Sequence, residues 1–200
     1  MKDNFGRKLY SLREYYKIMY LAFFSMPDFS SIKKNKFLND HFIERIMLAV
    51  TEVNGCAVCS YAHTKMALEA GMTNEEIQNM LAGVSDNVPE EEMSAVMFAQ
   101  HYADSRGYPS NESWERIVEI YGLPKSKGIL ASIRIIMFGN ASGIPLSSFF
   151  NRFKGKADER SSLLYEIGMI IVTIIYIPIA LIHAFLAKLF RIPIITFKTV

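Results

Sequence analysis

From Ile167 to Ala187 the chain runs 21 positions without a lysine, arginine, aspartate or glutamate. Seventeen of these positions are apolar, the exceptions being Gly168, Thr173, Pro178 and His183. As a helix rising about 1.5 Å per residue, such a run measures about 31 Å, the thickness of a bilayer hydrocarbon core of about 30 Å. Pro178 sits mid-segment, which a membrane helix tolerates as a kink when the freed carbonyl finds another partner. The competing homes are a helix packed in a bundle or oligomer interface, and a hairpin that turns at Pro178. The length of the uncharged run favours the bilayer, so the expectation is a membrane span over about 167–187.

This segment explains the composition of the 200-residue chain. Its mean hydropathy, +0.14, is high for a soluble protein. The formal net charge is only +2, which excludes the basic footprint of a nucleic-acid binder. Residues 1–160 carry 19 basic and 19 acidic side chains, so the surplus comes wholly from Lys188, Arg191 and Lys198 against Glu166. The chain divides into a charge-balanced domain over 1–160, large enough for its own core, and an apolar tail over 161–200. Arg152, Lys154, Lys156 and Arg160 precede the span and three cations follow it. That slight bias places the domain on the cytoplasmic side of a single-pass cell-membrane protein. The stretch Ile18–Met26 is too short, and lacks the cleavage context, for a secretory signal.

Helix punctuation runs through the first 160 residues, with no alternating strand pattern and no internal repeat. A first helix is expected over Tyr10–Phe24, ending before Pro27. A second runs from Asp40 to Asn54, stopped by Gly55, and a third from Cys56 to Ala70, stopped by Gly71. Thr73 to Glu76 has capping-box spacing for a short helix closed by Gly83. Pro89 opens a helix to about Ser105, with Glu90, Glu91 and Glu92 as a solvated first turn. Met93, Met97 and Phe98 fall at core spacing. Further helices are expected from Ser110 or Asn111 to Gly122, and from Pro124 to about Asn140. The fold class is all-α.

The chain's only two cysteines form a Cys56-Ala57-Val58-Cys59 pair, and His63 follows four residues later. On a helix all three project from one face. A dithiol in the first turn of a helix favours thiolate, because the N-terminal field stabilises the anion. One thiolate attacks and the other resolves the disulfide. Two chance core cysteines, or a zinc site on both thiolates and His63 with His41 as the nearest spare histidine, are the competing readings. Ser60 after the second cysteine disfavours covalent haem attachment.

The run from Glu44 through Asn54-Gly55-Cys56-Ala57-Val58-Cys59 to His63 closely resembles the core motif of the carboxymuconolactone decarboxylase superfamily, in its alkylhydroperoxidase D-like branch. That motif is a Glu twelve positions before the first cysteine, the dithiol, and a His four positions after the second. The detailed resemblance covers about 37–83, with a weaker echo to Lys156 in which Gly139-Asn140 is similar to a second landmark. The tail lies outside it. The resemblance implies a helical bundle in which Cys59 is the buried reactive thiol and Cys56 lies nearer the surface and meets the reductant. Glu44 and His63 then form the proton relay, with Glu52 as a second choice. Val58 stands where some members place a histidine. The dithiol argues for redox chemistry over lactone decarboxylation.

The resulting expectation is a membrane-tethered thiol–disulfide oxidoreductase or peroxidase. It needs no metal or organic cofactor. It acts on a peroxide or disulfide substrate, and draws electrons from a dithiol reductant such as a lipoylated protein. A homo-oligomer is implied. The alternatives are a membrane-anchored redox sensor or scaffold with little turnover, and a zinc-stabilised interaction domain. His183 in the tail reads as a bundle-facing imidazole, the alternative being a polar site.

Overall fold

A computed structural model describes residues 9–195; Lys2, Asp3, Arg7, Lys8 and Lys198, whose charges entered the counts above, lie outside the described residues. Every regular element in that range is a helix: α1 (Leu12–Asn35), α2 (Asp40–Asn54), α3 (Ala57–Ala70), α4 (Asn74–Leu81), α5 (Glu90–Asp104), α6 (Asn111–Phe153) and α7 (Leu163–Leu189). The punctuation largely sets the ends. Asn39 caps α2 through its side chain, and Gly55 closes it in the left-handed conformation. Thr73 and Glu76 form the expected capping box of α4.

Two boundaries differ from expectation, each through packing. Pro27 does not end α1, which continues to Asn35. An interior proline costs about 3 kcal/mol. Here buried side chains on both sides of it, Phe24 and Ser25 before and Ile32 after, hold the helix together. Gly122 breaks α6 with φ 72° and ψ 154°, as expected, but the second segment runs past Asn140 and through Pro145 to Phe153. Its residues Ile129, Leu130, Ile133 and Met137 are the centre of the core. The helix around Met97 also corrects the pattern: Phe98 is buried, whereas Met97 is 60% exposed.

The Glu90–Glu92 run is not wholly solvated. Glu92 is buried, where it accepts from Arg45 Nη1 at 2.7 Å, while Arg45 Nη2 donates to Glu76 at 3.0 Å. One guanidinium on α2 thereby ties α4 and α5 to the helix that carries Glu44. Glu76 sits well below the ordinary carboxylate range, first because the Thr73 backbone N–H donates to it, with Arg45 adding to that.

The turn over 154–162 joins α6 to α7. Glu166 is fully buried and takes a bidentate pair from Arg152, at 2.9 and 2.8 Å. From there α7 runs antiparallel to α6 and parallel to α1. Tyr165 Oη donates to Tyr10 O at 2.9 Å, and Tyr15 Oη meets both Ser142 and Thr173. His183 Nδ1 meets Tyr16 Oη at 3.0 Å, and its ring stacks on Tyr20. Lys188 pairs with Asp28. His183 therefore faces α1. The helix is continuous through Pro178. Its inner face is stitched by polar contacts, and its outer face exposes Ile167, Ile171, Ile174, Ile182, Phe185 and Leu189. Two helices, α6 and α7, are long and apolar enough to cross a membrane, but the apolar window of α6 is 67% buried and that of α7 only 17%. By that contrast α6 is a core helix, and α7 is the element with an unfilled apolar side.

Candidate dithiol site

Gly55 is where the site begins. Its φ of 68° lets the chain leave α2 sharply, and its N–H donates to Thr51 O at 2.9 Å. The next residue, Cys56, is the N-cap of α3, and its Sγ accepts the Cys59 N–H at 3.4 Å. A disulfide joins Cys56 to Cys59, with their Cα atoms 5.3 Å apart. The first turn of α3 thus presents both sulfurs to the positive end of the helix.

His63 lies one turn further along α3, and its Nδ1 meets Glu44 Oε2 at 2.8 Å. The Glu44 and His63 side chains are 7% and 13% exposed. An imidazole held by a buried carboxylate has one ring nitrogen committed to that carboxylate, which leaves Nε2 to take or give a proton. Glu44 is therefore not a solvated helix carboxylate. Glu52, the second choice, lies beside Gly83, where an added Cβ would come within 3.4 Å of its Oε1. His41 Nε2 meets the carbonyl of Ala70 at the far end of α3, away from the cysteines. Among the described residues no group of three or more His, Cys, Asp or Glu side chains is arranged to hold a metal.

Burial of the two sulfurs corrects one expectation. Cys56 is fully buried and Cys59 is 8% exposed, so the second cysteine, not the first, is the nearer to solvent. Cys56 is the N-cap of α3, and α6 passes against both cysteines at Gly143.

Gly143 of α6 approaches the sulfurs, and a hydrogen-bonded layer joins α2, α6 and Tyr10, which precedes α1. An added Cβ on Gly143 would stand 3.0 Å from Cys56 Sγ, from Cys59 Sγ and from Val58 Cγ1, so α6 approaches the disulfide as closely as a backbone without a side chain permits. Asn54 is buried, accepts from Tyr10 Oη at 2.9 Å and donates to Met137 Sδ at 3.1 Å. Burial pushes the Tyr10 phenol up, which keeps it a donor. Thr51 Oγ1 donates to Asn140 Oδ1 at 3.2 Å. Asn140 Nδ2 is buried with no partner among the described residues. Of the Gly139-Asn140 landmark, Asn140 faces this layer, whereas a Cβ on Gly139 would meet Ile136 at 3.6 Å. Sequence reasoning missed Gly143, Tyr10 and Met137, and singled out Asn54 only as part of the Asn54-Gly55 lead-in. A glycine inside an apolar helix, which costs about 1 kcal/mol against alanine, was the available hint of a close approach.

The profile of the carboxymuconolactone decarboxylase family matches residues 28–100. That match supports the superfamily resemblance over those residues. The match runs from the last third of α1 to most of α5 and contains all four motif residues, with the dithiol consistent with the alkylhydroperoxidase D-like branch. It ends well before Lys156, so α6, which approaches the sulfurs at Gly143, lies beyond it. No curated protein and no solved structure matches the chain.

Proposed function

We propose that the protein is a thiol–disulfide oxidoreductase or peroxidase that works through Cys56, Cys59, His63 and Glu44. The observation that carries this is the 2.8 Å Glu44–His63 hydrogen bond, one helical turn from the Cys56–Cys59 disulfide. In the reduced protein His63, held by Glu44, accepts the Cys59 proton. The Cys59 thiolate attacks the terminal oxygen of a peroxide, the O–O bond breaks, and His63 returns the proton to the departing alkoxide. Cys59 is then a sulfenic acid. Cys56 attacks its sulfur, water leaves, and the disulfide is restored. One peroxide and two thiols give one alcohol, one water and one disulfide.

Re-reduction follows the burial order. An external dithiol, such as a lipoyl group, attacks Sγ of Cys59, the less buried of the two cysteines. Cys56 leaves as a thiolate at the N-terminus of α3, where the Cys59 N–H already points at it. A disulfide substrate enters by the same route in reverse. No metal or organic cofactor takes part in this scheme.

Membrane attachment is assigned to the outer face of α7, which exposes Ile167, Ile171, Ile174, Ile182, Phe185 and Leu189. The domain would sit on the cytoplasmic side. Self-association is assigned to the exposed apolar side chains of α3, Val58, Tyr61, Met66 and Leu68, beside the dithiol. The test of the activity is turnover of an organic hydroperoxide by the full-length protein with dihydrolipoamide as the reductant. Wild type is expected to turn over and Cys59→Ser is expected to be inactive. Equal rates in the two proteins would refute the reading. Disulfide formation without turnover would instead favour a redox sensor.

A further inference from the structure

Two arginines are buried among the described residues, Arg45 and Arg134, and only Arg45 has carboxylate partners. Arg45 is buried against Glu76 and Glu92, and Arg152 grips the buried Glu166. Arg134, on α6, is 2% exposed and has no carboxylate partner among the described residues. Its Nε donates to Tyr102 Oη and its Nη1 to Ser25 Oγ, each at 3.0 Å, and both acceptors are neutral hydroxyls. The guanidinium carbon lies 6.0 Å from the Tyr102 ring centroid. Nη2 has no hydrogen-bond partner among the described residues. It is also not among the fully enclosed, unpartnered polar atoms, so it keeps an opening.

We assign that opening to a cleft between α1, α5 and α6. Arg134 lines it together with Lys17, Arg106, Tyr102 and Met137. Two further cations therefore stand at the same mouth. Lys17 Nζ donates to Gly107 O and sits over the Tyr108 ring, and Arg106 pairs with Glu14 at 2.9 Å. Glu14 is already engaged by the Ser11 backbone and hydroxyl, which hold its carboxyl below the usual range. A buried cation that keeps its charge needs a counter-charge or a full set of acceptors, and hydroxyls supply neither.

We propose that this cleft binds a small anion on Arg134. The space open to solvent is about 10 Å³, room for one water-sized group. The ligand is accordingly a halide ion, or one oxygen of a small carboxylate whose remainder projects outward. The guanidinium donates to it through Nη2, and Lys17 and Arg106 add positive potential. The site is distinct from the dithiol and stands whether or not the redox reading does.

Chlorine-35 NMR of the full-length protein in chloride tests this, with formate as competitor and the Arg134→Met protein, titrated identically, as the ionic-strength control. The chloride line is expected to broaden with wild-type protein and to sharpen on adding formate. Arg134→Met is expected to lose the formate-sensitive broadening, and Arg134→Lys to retain part of it. Broadening that is absent in wild type, or equal in wild type and Arg134→Met, overturns the proposal. A variant-free reading comes from bromide-soaked crystals: an anomalous peak beside Arg134 is expected, and bromide elsewhere but not there overturns it.

Discussion

Gly143→Ala puts the contact between α6 and the disulfide under direct strain. The new methyl would lie 3.0 Å from both sulfurs and from Val58 Cγ1. Comfortable carbon contacts begin at about 3.5 Å, so three atoms fall about half an ångström short at once. In the oxidised protein the sulfurs are bonded to each other and have little room to yield. Overpacking of this kind costs about 1–3 kcal/mol. Replacing a mid-helix glycine with alanine returns about 1 kcal/mol of helix propensity, and does so in both redox states. After reduction each thiol rotates independently, so most of the clash is relieved. The variant is thus expected to destabilise the disulfide form relative to the dithiol form by about 1–3 kcal/mol, which raises the reduction potential by about 20–60 mV. Titration in dithiol redox buffers, read by mass-tagging of free thiols, measures the shift. Urea unfolding of each form checks its origin. A potential equal to that of wild type, with equal unfolding changes in both forms, would show that α6 does not press on the sulfurs.

Four further outcomes follow from the same geometry. Glu44→Gln keeps a hydrogen-bonding side chain but removes the charge, and is expected to slow oxidation of the reduced protein by hydroperoxide about 10²- to 10⁴-fold in stopped-flow measurements. Arg45→Met strands Glu92 in a buried position and is expected to cost about 3–5 kcal/mol in denaturant unfolding; a loss under about 1 kcal/mol would mean the cluster does not hold α4 and α5. Glu76 has a depressed folded-state pKa, so its contribution is present above the ordinary glutamate value of about 4.3 and is lost as pH falls below it. Thr73→Ala, which removes the side-chain part of that hold, is expected to shrink the stability change between neutral pH and acid. For α7, alkaline carbonate is expected to leave the full-length protein in the membrane pellet, and its complete release would contradict attachment through the outer face.

The sequence carried the chemistry further than the packing. Glu44, Cys56, Cys59 and His63 were legible because a helix fixes which residues share a face, and Gly55 announced the break that sets Cys56 at an N-cap. What stayed hidden was decided between elements. Local chemistry says Pro27 should end α1, and only the burial of Phe24, Ser25 and Ile32 explains why it does not. Glu92 looked like one more acidic residue at a helix start, since nothing nearby in sequence reveals Arg45 waiting on α2. The burial order of the two cysteines depends on α6 passing beneath them, and Gly143 lies 84 positions beyond Cys59. The apolar run of the tail was plain, but its inner polar stitching to Tyr15, Tyr16 and Asp28 needed the partner helices to be in place.

The central claim is that Glu44 and His63 prepare Cys59 as a thiolate. The pH dependence of Cys59 alkylation by iodoacetamide in the reduced protein tests it most directly. Wild type is predicted to show a midpoint clearly below the ordinary cysteine value of about 8.5, and Glu44→Gln a midpoint shifted upward toward it. A wild-type midpoint at the ordinary value, unmoved by Glu44→Gln, would contradict the account.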